Sequence, residues 1–306
     1  MDTINNRIRD AIKPYGYKSK TVSIAHLPEV QEAVGILVRQ GLVNRRLSEN
    51  WHFYRTPNTE LPEAKTIIIT ALPQSITRLT FSWQGRDYSG ELAPAEYSQA
   101  DESRVEEILK KVLGNAGYKI TKARLPLKTL AVRSGLARYG RNNIAYVPGM
   151  GSYCSLIAFY TDMPCDGDSW QEPAAMPTCK NCALCRETCV NGCFTTDRFL
   201  VHAEHCLGFL YSIEPGVPHH VQKQPGWLNA LFGCMCCQSV CPVNKPYLKN
   251  IKAGPSFSEE ETAAILNKTP WEKLSSENQK KLEPVRNFYP PIACNLLALI
   301  EKQRLA

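Results

Sequence analysis

Apolar residues recur along this chain in short blocks whose spacing alternates between helix and strand periods. Ile4, Ile8 and Ile12 fall four apart ahead of Pro14, which predicts a first amphipathic helix. From Leu27 to Leu42, Val30, Ala33, Val34 and Leu37 keep the 3.6-residue period, and Gly41 marks the end of a second helix. Ile67-Ile68-Ile69, between Pro62 and Pro73, is an unbroken β-branched run, as expected of a buried strand. Thr80 to Tyr88 alternates enough for a further strand or hairpin arm. Between Asp101 and Gly114, Val105, Ile108, Leu109, Val112 and Leu113 share one helical face behind an acidic first turn. Strand and helix signals alternate to about residue 160, so the first half reads as α/β.

Beyond Cys241 the pattern turns helical. Ser258-x-x-Glu261 and Thr269-Pro270-Trp271-Glu272 both read as capping boxes, and Ile292 to Leu305 is amphipathic. With 306 residues, 43% hydrophobic and 21% charged, the chain has room for about two soluble domains. No apolar run approaches the roughly 20 residues of a membrane helix. No G-x-G-x-x-G or P-loop is present, so nucleotide-fold readings lack support. Residues 130–164 interleave glycines with amides (Gly135, Gly140, Asn142, Asn143, Gly151). Such loops allow close backbone approach to a large ligand, and equally serve as turn punctuation.

Chemistry concentrates in the cysteines. Cys179, Cys182, Cys185 and Cys189 form C-x2-C-x2-C-x3-C, and Cys234, Cys237 and Cys241-Pro242 form C-x2-C-x3-C-P. Runs of this kind hold [4Fe–4S] clusters, because three thiolates on a short loop reach three irons while the fourth crosses to a neighbouring cube. On that rule Cys179, Cys182, Cys185 and Cys241 hold one cluster. Cys189, Cys234 and Cys237 hold the other and need a fourth ligand, which the isolated Cys206 supplies. Cys193 and Cys236 compete for the places of Cys206 and Cys237. Zinc knuckles pair C-x2-C units with four ligands each, and the three-plus-one spacing fits them worse. Cys154, Cys165, Cys193, Cys236 and Cys294 otherwise read as buried small hydrophobes.

The net charge of +7 invites a nucleic-acid reading, but two oxidised four-thiolate cubes lower it to about +3. The densest basic knot, Arg45-Arg46, is short. The chain starts without an apolar export segment, and its thiols suit a reducing cytoplasm.

Together these residues resemble the epoxyqueuosine reductase family and, more distantly, the ferredoxin-bearing part of reductive dehalogenases. The likeness is carried by Ala131-Val-Arg-Ser-Gly135-Leu136 through Gly140-Arg141-Asn142, and by Gly151-Ser152 through Thr161-Asp162-Met-Pro164. The first cysteine run, Cys206-Leu207 and Cys237-Gln-Ser-Val-Cys241-Pro242-Val-Asn244 complete it. The resemblance implies an α/β cobalamin-binding domain over residues 1–170, then a ferredoxin-like two-[4Fe–4S] α+β domain over 171–250. A short helical C-terminal extension over 251–306 follows. It implies base-off cobalamin with no protein histidine beneath the cobalt, and the D-x-H-x-x-G signature is indeed missing: Ala203 precedes His205 where the aspartate would stand. Gly135, Leu136, Tyr139, Arg141, Asn142, Ser152 and Tyr153 are the implied cobalamin contacts. The clusters would relay single electrons from an external ferredoxin or flavodoxin to the cobalt.

One departure bears on the substrate. The family's tRNA-reducing members carry an acidic residue just upstream of the Gly135 loop, whereas Tyr118 to Pro126 contains no carboxylate. Either Tyr118 or Tyr139 takes over the proton, or the reaction differs. The expectation is therefore an oxidoreductase with a small-molecule or corrinoid substrate. The alternatives are a genuine tRNA epoxyqueuosine reductase with a replaced proton donor and a non-catalytic electron carrier. On spacing alone, Cys206→Ala leaves a single cluster, which iron analysis reads as a fall from about eight to about four irons per chain.

Overall fold

A computed structural model describes residues 3–43, 61–94, 98–210 and 228–305. The Arg45-Arg46 knot lies outside the described residues. Chain contacts divide into two compact units, residues 1–74 with 99–183 and residues 75–98 with 184–306.

The first unit is built on a four-stranded antiparallel sheet. Its strands β1 (Lys18–Ser23), β2 (Thr66–Pro73), β5 (Ile120–Ala123) and β8 (Cys154–Thr161) lie in the order β1-β2-β8-β5. The isoleucine run sits in β2 and is buried on both faces. Side chains alternate across a strand, so Ile68 and Leu72 join one core while Ile67, Ile69 and Ala71 join the other. The first core is closed by α1 (Ile4–Ile12) and α3 (Gln99–Gly114), through Ile8, Ile12, Val105, Leu109 and Leu113. The second is closed by α4 (Leu127–Arg133) and the loop after it, through Leu130, Ala131, Val132 and Leu136. α2 (Leu27–Arg39) buries Val30 and Val34 and ends as its sequence predicts: Gly41 adopts φ +67° and bonds back to Val38.

In the second unit, β3 (Ile76–Trp83) and β4 (Arg86–Leu92) form a hairpin, and β9 (Ile251–Phe257) adds to β3 in parallel. The hairpin's two-residue turn needs positive φ twice, at Gln84 (+51°) and Gly85 (+74°). Glu259, in the first turn of α8 (Glu259–Leu266), accepts both turn N–H groups, at 2.8 and 3.4 Å. Leu79, Phe81 and Phe257 form a core with Ile265 of α8, Leu282 of α9 (Ser276–Leu282) and Ile292, Leu296 and Ile300 of α10 (Tyr289–Leu305).

Two expectations for the C-terminal region change. Residues 251–306 open on a strand rather than a helix. The Ser258–Glu261 capping box forms with both bonds, but the Thr269–Glu272 box does not. Pro270 there precedes a single 3-10 turn with no side-chain cap, and Ser275 instead caps α9 by accepting from the Asn278 amide. Within residues 171–250 the described residues hold short helical turns and isolated bridges, with no named strand.

A strap over residues 166–172 lies across the first unit. Asn5 donates to the Asp166 carbonyl at 2.6 Å, Ser169 donates to Thr21, and Gln171 donates to the Arg133 carbonyl at 2.7 Å. His26 fastens it, with Nε2 2.7 Å from Asp168, Nδ1 2.9 Å from Glu29, and its ring stacked 4.3 Å from that of Trp170. Partial burial pushes the imidazole down, but its bonds to Glu29 and Asp168 outweigh this and raise it above its ordinary value. Burial pushes Asp168 up, yet the bonds from His26, Trp170 and Ser23 bring it below the usual carboxylate range. The His26 contribution is therefore complete below about pH 6.5 and is lost as pH rises through the raised folded value. That of Asp168 is present above about pH 4 and is lost on acidification. His26→Gln should lower the urea unfolding midpoint by the equivalent of up to about 1 kcal/mol more at pH 5.5 than at pH 9. An equal effect at both pH values would show that packing, not charge, holds the strap.

Candidate functional site: two cysteine loops and their donors

The first cysteine loop is stapled to the short hairpin of β6 (Arg138–Tyr139) and β7 (Ala145–Tyr146). The hairpin's shape is set by local chemistry. Gly140 leaves no room for a side chain, since a Cβ there would sit 2.5 Å from Asn142 Oδ1 and from the Tyr146 ring. Asn142 donates to the Tyr146 hydroxyl at 3.0 Å. Asn143, at φ +58°, is held by Lys128 Nζ, which donates to its carbonyl and to its side-chain oxygen, both at 3.1 Å.

From this hairpin a ladder runs to the thiols. Tyr139 N–H donates to Ala174, the Met176 N–H donates to Tyr139, and the Cys179 N–H donates to Met176, at 2.9, 2.8 and 3.0 Å. Arg141 finishes it: its backbone N–H donates to Cys179 Sγ at 3.4 Å, and its guanidinium donates to the carbonyls of Cys179 and Lys180 at 2.6 and 3.2 Å. Cys182 N–H donates to Cys179 across the loop at 3.4 Å. Both thiols are partly exposed.

Cys185 lies in the short helix α5 (Leu184–Glu187) of the second unit, and Cys189 follows its end. The chain then turns at Gly192 so that the Cys193 N–H donates to Cys189 Sγ at 3.4 Å. Cys206 precedes α6 (Leu207–Leu210), and its N–H donates to the Ala203 carbonyl at 3.0 Å. The closeness of these thiols pushes Cys193 up and lowers Cys189 and Cys206 to about 6 each. Cys236 opens α7 (Cys236–Ser239), which packs on α5. Its thiol bonds Cys234, which lowers Cys236 and raises Cys234, and it also feels the charges of Cys189 and Cys206. Asn229 Nδ2 donates to both sulfurs, at 3.5 Å to Cys234 and 3.1 Å to Cys236, while its Oδ1 accepts the Met235 N–H at 2.7 Å.

The donor chemistry suits soft iron. Of the expected second set, Cys189 Sγ accepts the Cys193 N–H, and Cys234 Sγ shares the Asn229 amide with Cys236. Among the described residues, no group of three or more His, Cys, Asp or Glu side chains is arranged to hold a single metal ion. Cys193 is buried as expected. Cys154, Cys165, Cys236 and Cys294 keep partial exposure, and burial raises the Cys154 thiol to about 12. Lys128 and Asn229 carried no sequence signal, because neither stands in a motif.

Of the seven implied cobalamin contacts, Leu136, Asn142, Ser152 and Tyr153 are buried, and Arg141 is committed to the Cys179 loop. Gly135, Tyr139 and Arg141 keep surface through which a large ligand could be met. Burial raises the Tyr139 phenol above its usual value, against a 3.4 Å bond to Thr129 and the nearby Arg133 charge.

No protein-family model matches the chain. In sequence it is similar to the epoxyqueuosine reductase of Bacillus subtilis (strain 168), 30% identical over 207 residues covering 62% of this chain and 50% of that protein. The epoxyqueuosine reductase of Staphylococcus aureus is 26% identical over 206 residues, again covering 62% and 50%. The chain thus spans about half the length of the curated relatives it matches. In structure it aligns with an epoxyqueuosine reductase from Streptococcus thermophilus at TM-score 0.64 and 17% identity, covering 98% of this chain and 81% of that one. An epoxyqueuosine reductase solved with a tRNA-Tyr epoxyqueuosine-modified stem loop aligns at 0.63 and 18%, covering 97% and 82%. The chain is epoxyqueuosine reductase-like in sequence and in fold.

Arg141→Met keeps the stem of that side chain but removes its two bonds to the Cys179 loop. Hydrogen exchange at the Cys179 and Cys182 amides should rise about tenfold while β2 and β8 stay unchanged. Unchanged exchange at both amides would show that the guanidinium does not hold the loop.

Proposed function

We propose that this chain is a cytoplasmic oxidoreductase of the epoxyqueuosine reductase kind, acting on epoxyqueuosine in tRNA. The observation that carries the reading is the coincidence of that sequence likeness with the C-x2-C-x2-C-x3-C and C-x2-C-x3-C-P spacing of the cysteines. We favour tRNA over a small-molecule or corrinoid substrate, because the sequence relatives are epoxyqueuosine reductases and a protein of similar fold is solved with a modified tRNA stem loop. Among the described residues no helix is long and apolar enough to cross a membrane.

Cys189, Cys206, Cys234 and Cys237 would hold one [4Fe–4S] cluster, and Cys179, Cys182, Cys185 and Cys241 the other. Gly135, Tyr139 and Arg141 are the residues left to meet base-off cobalamin. When bound, these groups supply single-electron relay and two-electron reduction, fed by a low-potential ferredoxin or flavodoxin. The chain's own contribution is positional. Arg141 fixes the Cys179 loop, Lys128 fixes the turn at Asn143, and Tyr139 Oη holds a proton that burial keeps in place at neutral pH. A related Bacillus subtilis structure is described with an aspartate catalytic loop swung out of its active site. Here the stretch over residues 118–126 has no carboxylate, so Tyr139 is the proton donor we assign in place of that aspartate.

The test is conversion of epoxyqueuosine tRNA to queuosine tRNA by the anaerobically reconstituted protein, alongside a cob(II)alamin titration followed by EPR. Conversion supports the reading. A corrinoid-dependent EPR change without conversion would move the substrate to a small molecule, and neither would leave an electron carrier. Tyr139→Phe should lower turnover by roughly 10²-fold or more while leaving iron content and the cobalt signal intact; full turnover would remove Tyr139 as the donor.

A further inference from the structure

Between the end of α8 and the start of α10, the second unit holds an open cavity of about 570 Å³, lined by none of the expected cluster ligands. Its floor is apolar: Tyr289 and Ala293 of α10 are buried, and the Trp271 ring stands at 74° to that of Tyr289, centroids 5.6 Å apart. The Tyr289 hydroxyl donates to the Thr269 carbonyl at 2.8 Å. The Arg286 guanidinium lies 5.1 Å from the Trp271 ring centroid, and its contact with Glu283, at 3.8 Å between exposed groups, is too weak to hold it. The rim is polar. Lys268, Glu272 and Asn287 are exposed there, and among the described residues their side chains have no hydrogen-bond or ion-pair partner. Lys268 stands at the rim at a conformational cost. α8 ends in a Schellman turn, with the Lys268 N–H on Ile265 at 2.9 Å and the Thr269 N–H on Ala264 at 3.0 Å. The left-handed place in that turn suits glycine, yet Lys268 fills it at φ +53°. Asn267, which tolerates that region, lies one place earlier at φ −76°.

We propose that this cavity binds a nucleotide, a flat heteroaromatic ring carrying a phosphate. The phosphate meets Lys268 and Arg286, and the positive end of α10, a 17-residue helix whose first turn lines the cavity, adds to their attraction. Pro290 and Pro291 remove two N–H donors from that end, so the side chains supply the hydrogen bonds. The ring packs against Trp271 and Tyr289, while Asn287 and Glu272 bond its edge; unstacked bases are held on aromatic surfaces in this way. A purely apolar ligand would leave both cations unpaired, and bare phosphate would leave the aromatic floor wet. A ring joined to a phosphate meets both demands within a volume usual for small-molecule sites. A free mononucleotide and a single nucleotide of an RNA present the same chemistry. The site stands whether or not the cysteines hold clusters.

Cys294, partly exposed and lining the cavity, supplies the readout. The experiment follows its alkylation by iodoacetamide in the full, anaerobically reconstituted chain, by mass spectrometry of its peptide. The probes are the four nucleoside monophosphates, inorganic phosphate and tRNA. At about 1 mM, at least one monophosphate should slow alkylation of Cys294 about threefold or more, while phosphate does not and Cys165 of the first unit is unaffected. Protection by tRNA but by no monophosphate would assign the occupant to RNA. Protection by neither overturns the proposal. Lys268→Gly removes the ammonium and relieves the left-handed backbone, so it should abolish protection while the Tm holds or rises. Protection that survives in the Lys268→Gly, Arg286→Met double variant also overturns the proposal. If Cys294 does not react, quenching of tryptophan fluorescence by the same probes decides. Quenching in the wild type that is lost in Trp271→Phe supports the site, and none, or equal quenching in both, overturns it. No arm reads turnover, so failure of the oxidoreductase reading is seen separately.

Discussion

Sulfur atoms packed side by side cannot all carry charge, because each thiolate raises the cost of ionising the next. The second unit is organised around this constraint. Cys193 is pushed up while Cys189 and Cys206 are pushed down, and Cys234 is pushed up while Cys236 is pushed down. Metal binding to thiols such as these releases protons. Asn229 adds a neutral donor to two sulfurs at once. It is held from a distance along the chain: Asn295 donates to the Leu231 carbonyl at 3.0 Å, Lys302 donates to the Leu228 carbonyl, and the Leu231 N–H donates to Glu91 at 2.7 Å. The C-terminal helix has no reactive group in the site. Its work is to fix the segment that carries the amide.

In the first unit the same problem is met with backbone. Cys179 receives an N–H from Arg141, and the guanidinium satisfies two carbonyls of its loop that a tight turn would otherwise leave to solvent. The strap over residues 166–172 leads into this loop and is fastened by His26 and Asp168. The cysteine loop is therefore supported from the hairpin and from the strap, in a unit whose β2 strand is buried on both faces.

Much of this was legible in sequence where a local rule decides the outcome. The Ile4–Ile8–Ile12 spacing, the Gly41 stop, the β2 isoleucines and the Ser258–Glu261 box each appear as read. What escaped depends on partners distant along the chain. Ile251–Phe257 contains Gly254 and Pro255, poor strand formers, and pairs only because β3 offers an edge more than 160 residues earlier. A Cβ at Gly254 would meet Leu79 at 2.6 Å, so the residue that hides the strand from a propensity reading is the one that lets it dock. Thr269-Pro270 matches the capping pattern, yet no full helix follows to be capped. Cysteine spacing marks out the ligand set but cannot see that Cys193 turns back onto Cys189, since that depends on the left-handed turn at Gly192.

Tyr139 and Arg141 share a hairpin strand and its turn, and with Tyr139 as the proposed donor that proximity would link proton supply to the geometry of the cysteine loop. The Tyr139 amide and carbonyl both bond the segment that leads to Cys179, while its ring reaches back to Thr129 on α4. A shift of the strand would move the phenol and the Cys179 thiol together. A proton donor must stand within hydrogen-bond reach of the forming anion, and a small misplacement removes most of its effect. Mounting both groups on one hydrogen-bonded ladder keeps their separation constant through motions that carry the hairpin as a whole. The missing carboxylate and the Arg141 clamp are, on this argument, two parts of one arrangement, in which mobility of the donor is exchanged for rigidity shared with the cysteine loop.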